Sequence, residues 1–146
     1  MGEAGLGTGL VVDVDEEPKL ALPLPPRPEY VPLVRRVATA FAEFLGISEA
    51  SLGDLRTVVT EACSLAVSAG PPRAGPIRME VHRDREEFSI LVRKRGEGLK
   101  QITSGDGDRL PLSLKVISTL SSHFEVSEQR GGETALSIRL PLEVGE

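Results

Sequence analysis

Between Val31 and Ala69 apolar residues recur every three or four positions, and from Ile77 onward they recur every two. This change of period constrains the fold more than any other feature, because a 3.6-residue stripe belongs to a helix and a two-residue alternation to a strand. Val31, Val34, Val37/Ala38, Phe41 and Phe44/Leu45 form the stripe of one amphipathic helix, with Arg35, Arg36 and Glu43 on its other face. It opens after Pro28, tolerates Pro32 in its first turn and ends at Gly46. A second helix is predicted from Leu52 to Ala69, with Ser51 as its N-cap and Asp54 adding negative charge to the first turn. Its stripe is Leu55, Val58/Val59, Ala62, Leu65/Ala66 and Ala69, and Gly70-Pro71-Pro72 stops it.

Strands bracket this helical block. Ile77, Met79 and Val81 alternate with Arg78, Glu80 and His82, and after a turn at Asp84-Arg85-Glu86 the alternation resumes with Phe88, Ile90 and Val92. Lys19–Leu24 reads as an edge strand, since Pro23 removes a ladder donor. Arg95–Arg109 reads as a loop, and Leu110, Leu114, Ile117 and Leu120 mark a third helix with Asp108 as its cap. Phe124/Val126 and Leu136/Ile138/Leu140 are two final strands joined by Arg130-Gly131-Gly132-Glu133, a hairpin-turn composition. The expected fold is an α+β two-layer sandwich, a mixed, mostly antiparallel sheet backed by three helices. Residues 1–18 are expected to be a tail in which Leu10–Val14 can add one strand, 19–142 the domain, and 143–146 a C-terminal tail.

Composition excludes several functions. The 146 residues are enough for one domain that buries roughly 68–70% of its unfolded surface. A net charge of −5 argues against nucleic acid, which calls for a basic face, and one Tyr with no Trp leaves little for base stacking. The run Arg93-Lys94-Arg95 reads as a solvated strand edge. Cys63 is the sole cysteine, so no intramolecular disulfide forms, and its alanine neighbours mark it as a small core residue. His82 and His123 lack ligand-spaced companions, so no protein-built metal site is expected. No apolar run reaches the ~18–20 residues of a membrane span, and the chain is expected to be soluble and cytoplasmic.

Four segments together are similar to one family. They are Pro28-Glu29 at the start of the first helix, Leu55-Arg56-Thr57-Val58-Val59-Thr60-Glu61-Ala62-Cys63, Arg95-Gly96-Glu97-Gly98, and the Val116-Ile117 helix followed by Phe124-Glu125-Val126 and a Gly-Gly turn. Over roughly Leu20 to Leu142 the chain resembles the anti-sigma-factor serine kinases of the GHKL (histidine kinase/Hsp90-like) ATPase superfamily, which share the Bergerat fold. The resemblance implies a sheet backed by helices, with ATP held between the second helix, the loop after the central strands and the third helix. It also implies a helical glutamate as general base and an asparagine one turn later on Mg²⁺.

The chain departs from that pattern at each nucleotide contact. Glu61 matches the base, but Leu65 stands four residues on, and a hard cation requires oxygen ligands. The family's Asp-x-Gly-x-Gly box reads Lys94-Arg95-Gly96-Glu97-Gly98, and a lysine cannot accept the adenine amino proton. An amine left unpaired in a pocket costs about 1–3 kcal/mol. Where a Gly-x-Gly run would bring backbone N–H groups to the phosphates, the chain has Leu110-Pro111-Leu112-Ser113-Leu114, and Pro111 has no N–H. One expectation is that Lys94 bridges to Glu61 across the emptied pocket.

These departures make Glu61 a vestigial base in a degenerate pocket of Glu61, Leu65, Lys94, Gly96, Gly98 and Pro111, with no metal and no cofactor expected. The leading expectation is a regulatory domain that binds a protein, by family likeness a sigma factor or an anti-sigma antagonist, and that pairs with itself as a homodimer. Tyr30, Val31 and Phe41 on the first helix are its candidate docking face. One alternative is an active ATP- and Mg²⁺-dependent serine kinase that keeps Glu61 as base. Another is a pocket repurposed for a different anion by Lys94, Arg95 and Lys100.

Overall fold

The change of period at Ile77 separates two layers in the computed structural model, which describes residues 9–14, 17–69, 75–105 and 110–143. Six strands form one sheet: β1 (Val11–Asp13), β2 (Lys19–Leu24), β3 (Ile77–Arg83), β4 (Glu87–Arg95), β5 (His123–Glu128) and β6 (Glu133–Pro141). Their order is β1-β2-β3-β4-β6-β5, and the antiparallel bias expected is complete, since every pairing is antiparallel. Register aligns Leu22, Met79, Val92, Leu136 and Val126 in one row across the sheet. The alternating partners of that row, from Leu20 to Leu140, turn the same face inward and are buried. Gly131 and Gly132, at φ 76° and 79°, let the chain reverse between β5 and β6 in a backbone region that favours glycine.

Helices cover one face. They are α1 (Val31–Phe44), entered through a 3₁₀ turn at Pro28–Tyr30, α2 (Glu49–Ser68), α3 (Gly98–Ile102) and α4 (Leu112–Leu120). The central helix α2 lies between α1 and α4 and drives Leu55, Val58, Ala62 and Ala66 into the sheet. Ala62 and Ala66 matter because small side chains let α2 approach the sheet closely. None of the helices of the described residues is long and apolar enough to cross a membrane.

Three local expectations need correction. The cap of α2 is Ser48, whose Oγ accepts from Ser51 N at 3.2 Å, so the helix begins three residues before the predicted start. Ser51 is instead buried inside the first turn, where its Oγ accepts from Glu143 N at 3.0 Å. Ser48 Oγ also donates to the Glu143 carboxylate at 3.0 Å, so the two serines together tie the far end of the domain to α2. The predicted loop after β4 contains the five-residue α3, whose Leu99 is buried and whose Ile102 packs against the core, which gives this short segment a reason to coil. Helix α4 starts at Leu112 with Pro111 at its N-cap, and Asp108 lies outside the described residues.

The outer face of the sheet is polar. Arg78 on β3 stands directly opposite Arg93 on β4, an unfavourable like-charge pair on its own. Glu80 lies between them at 5% exposure, 3.5 Å from Arg78 and 3.3 Å from Arg93, with Lys19 at 3.9 Å and His82 at 3.5 Å. Arg93 and Arg95 therefore belong to this solvated face while Lys94 points the other way, so the basic run is not one patch.

Replacing Ser48 with Ala removes the α2 cap and the link to Glu143. Chemical denaturation is expected to show a loss of about 1 kcal/mol, and Ser48→Gly a loss of a few tenths.

Candidate functional site

One face of α2 presents Glu61 and Leu65 to the same side, four residues apart, and the two meet different surroundings. Leu65 is 2% exposed and packs in the core between α2, the sheet and α4. It offers no oxygen to a cation. Glu61, one turn earlier, is half-buried and accepts a hydrogen bond from Ser113 Oγ to its Oε1 at 2.8 Å. Ser113 is the second residue of α4, so the carboxylate sits at a helix N-terminus, where the unpaired N–H groups favour negative charge.

Lys94 occupies the inward register position of β4, continuing Phe88, Ile90 and Val92. It is 1% exposed, and its Nζ donates to the carbonyl of Ala66 at 2.7 Å. Ala66 lies in the last turn of α2, so the ammonium meets the negative end of that helix dipole. Burial still pushes the Lys94 ammonium below its ordinary pKa of 10.5, because desolvation opposes the charged form. The expected bridge to Glu61 is not formed: Lys94 is held by Ala66 and Glu61 by Ser113.

The two retained glycines serve the backbone. Gly96 adopts φ +90°, a conformation that side chains disfavour, and its N–H donates to Gly132 O at 2.7 Å. Its carbonyl accepts from Thr134 Oγ1 at 2.8 Å. Gly98 begins α3, which buries Leu99 beside the site and leaves Lys100 outside. Lys100 pairs with Glu128 on β5, which raises the lysine pKa and lowers that of the carboxylate through their hydrogen bond and opposite charges. Lys94, Arg95 and Lys100 thus face the core, the outer sheet surface and β5, and do not converge on one anion.

At the start of α4, Pro111 brings no N–H, and its carbonyl accepts from Leu114 N and Lys115 N at 3.0 and 3.2 Å. At the three positions that the resemblance assigns to metal, adenine and phosphate stand buried Leu65, Lys94 engaged with Ala66 O, and Pro111 at the N-cap of α4. Cys63 is fully buried and its thiol is pushed up to about 12 by desolvation, which makes it an inert packing residue. Among the described residues no group of His, Cys, Asp and Glu is arranged to hold a metal.

Two site residues escape sequence reasoning. Thr134 is buried directly across from Lys94, and the two-residue period running back from Ile138 and Leu136 marks it as inward. Ser113 carries no comparable signal, because a serine in the first turn of a helix is ordinary.

The candidate docking face also moves. Val31 and Phe41 are buried at 6% each and Tyr30 packs against the core, so they do not form a free surface. The open apolar stripe of α1 is Leu33, Val37, Ala40 and Phe44, and Phe44, predicted in the core stripe, is 73% exposed. It borders a groove of about 410 Å³ that also takes in Val12, Val14 and Leu20.

Comparison with known proteins agrees with this geometry. No individually curated protein sequence matches the chain. Among solved structures, a chain of the SiaB–SiaC complex from Pseudomonas aeruginosa is similar in fold, with a TM-score of 0.57 at 13% identity, over 84% of this chain and 89% of that one. The profile of the histidine kinase-like ATPase domain matches residues 24–140, from the end of β2 to the end of β6. The chain therefore belongs to the histidine kinase-like ATPase domain family, the GHKL type.

Proposed function

We propose that the chain is an anti-sigma-factor-like regulatory domain that acts by binding protein, with nucleotide binding and kinase activity lost or weak. The observation that carries this reading is the buried Lys94 ammonium on Ala66 O, which fills the place of an adenine acceptor with a donor. Leu65 and Pro111 extend the same change to the metal and phosphate ends. Phosphoryl transfer depends on positioning and charge neutralisation, so a site without metal and phosphate ligands lacks most of what the fold contributes. The solved neighbour is a bacterial protein–protein complex, which supports a protein such as a sigma factor or an anti-sigma antagonist as partner; a cytoplasmic bacterial setting is part of the proposal.

One observation favours a second reading, an active serine kinase. The Glu61 carboxylate accepts a hydrogen bond from the Ser113 hydroxyl at 2.8 Å, the reach a general base needs to take a hydroxyl proton. Calorimetric titration with ATP, with and without Mg²⁺, separates the two readings. The regulatory reading expects no heat and no thermal stabilisation at millimolar ATP. Micromolar, Mg²⁺-dependent binding overturns it, and phosphorylation abolished by Glu61→Ala establishes the kinase.

Lys94 also makes a stability prediction. Its pKa is lower folded than unfolded, so between the two values the unfolded chain holds more protons, and stability rises with pH toward the ordinary value of 10.5. Lys94→Met removes the buried charge, and Ala66 O keeps its bond from Ala69 N at 3.2 Å. The variant is expected to gain about 1 kcal/mol or more at neutral pH. The alkaline rise flattens with it, as thermal unfolding across a pH series would show.

A further inference from the structure

On β3 the residues that alternate with buried Ile77, Met79 and Val81 point to the face of the sheet turned away from the helices. Register places Arg78 and Arg93 side by side on that face, in a row completed by Pro23, Ala135 and Ser127. No other side chain of the row is long. A single buried carboxylate, Glu80, serves the pair, 3.5 Å from Arg78 Nε and 3.3 Å from Arg93 Nη2. Lys19 Nζ at 3.9 Å and His82 Nε2 at 3.5 Å draw on the same carboxylate. Each guanidinium carries more N–H donors than one carboxylate has acceptor sites, so donors outnumber acceptors here. The surplus is visible at Arg93, whose Nε is buried and meets no hydrogen-bond acceptor among the described residues. The Arg93 side chain is still 36% exposed, within reach of a group arriving from solvent.

We infer that this face docks an acidic segment of the partner protein, with its carboxylates seated on Arg93 and Arg78. The inference rests on the reading that the domain acts by binding protein, and it names the face and the chemistry of the contact. A carboxylate fits because its two oxygens take two parallel N–H groups of one guanidinium. Charge selects the occupant as well. The chain carries a net charge of −5 and repels an acidic partner as a whole, so such a partner approaches where the sign is locally reversed.

The other acids of this face limit what fits. Glu87 lies 3.8 Å from Arg139, Glu125 lies 3.2 Å from His123, and Glu133 stands opposite Arg95 in register. On the far side, Asp13 stands opposite Lys19. The excess of positive charge is thereby confined to the arginine pair and its neighbours on β2, β3 and β4, a width of roughly 10 Å at the ordinary strand spacing. That width seats one acidic peptide segment. A nucleic acid strand, with a phosphate at every nucleotide, would run on over Glu125 or Asp13 and be repelled.

NMR titration of the isotope-labelled full chain with a capped hexaglutamate peptide tests it. Amide shifts are expected to gather around Arg78 and Arg93 on β3 and β4, and to shrink as salt is raised. Arg93→Ala is expected to weaken binding on the order of tenfold or more, and Arg93→Lys, which keeps the charge and loses the fork, severalfold. Arg36→Ala is the control, since it removes the same charge from an exposed position of α1. Circular dichroism checks that each variant is folded, and if Arg93→Ala unfolds, Arg93→Lys carries the test. No shifts at millimolar peptide, shifts centred elsewhere, or equal weakening by Arg36→Ala overturns the inference. So does an oligothymidylate of equal charge that binds this face more tightly, since the occupant is then nucleic acid. ATP calorimetry on the same sample keeps the two readings apart. Micromolar ATP binding removes the regulatory reading and leaves the peptide map standing, whereas a missing peptide response beside silent calorimetry removes this inference alone.

Discussion

An ammonium with 1% exposure is expensive to bury, and the position of Lys94 depends on what offsets that cost. Its Nζ reaches the Ala66 carbonyl at 2.7 Å in the last turn of α2, where the helix presents its unpaired carbonyls. The contact links β4 to the C-terminal end of α2, the same helix whose N-terminal turn is tied to Glu143 through Ser48 and Ser51. At mid-helix, Glu61 joins it to α4 through Ser113. The central helix is thus held polar-to-polar at three heights, and apolar packing fills the intervals. A lysine is uncommon as a core residue, and here its length lets it cross from sheet to helix where a leucine would leave the Ala66 carbonyl to the Ala69 N–H alone.

The packing that holds the family fold lies largely away from this contact. Within residues 24–140, Leu55, Val58, Val92 and Leu136 are fully buried and pack the helix layer on the sheet. On the reading proposed above, positions 65, 94 and 111 are those at which a pocket would otherwise interrupt the core. Leu65 lies within the buried apolar stripe of α2, and Lys94 continues the inward row of β4 by one residue with its ammonium on Ala66 O.

Much of this was legible in the sequence. The period change at Ile77 separated helices from strands, and the inward row of β4 followed from Phe88, Ile90 and Val92. Cys63 read as a core residue and is fully buried. Helix starts were harder, because Ser48 and Ser51 are equally good caps by type, and only the hydrogen bond to Ser51 N distinguishes them. Phe44 was misplaced for a different reason. Its spacing of three from Phe41 fits the core stripe, yet the spacing of four from Ala40 puts it in the second stripe, and periodicity cannot rank two overlapping series. Lys94 was hardest: alternation placed it inward, while its charge argued for solvent, and the deciding partner is a backbone carbonyl 28 residues away that leaves no mark on the sequence.

The polar ties and the open apolar surface lie in different parts of the molecule. The ties gather where α2 meets β4 and α4, and the open surface lies on α1 and β1 at the end of the sheet. A ligand shifts a conformational equilibrium only by its difference in affinity between states. On the reading that the pocket is filled, nucleotide has no such difference to exploit, and any switching of this domain must come from proteins that contact its surface.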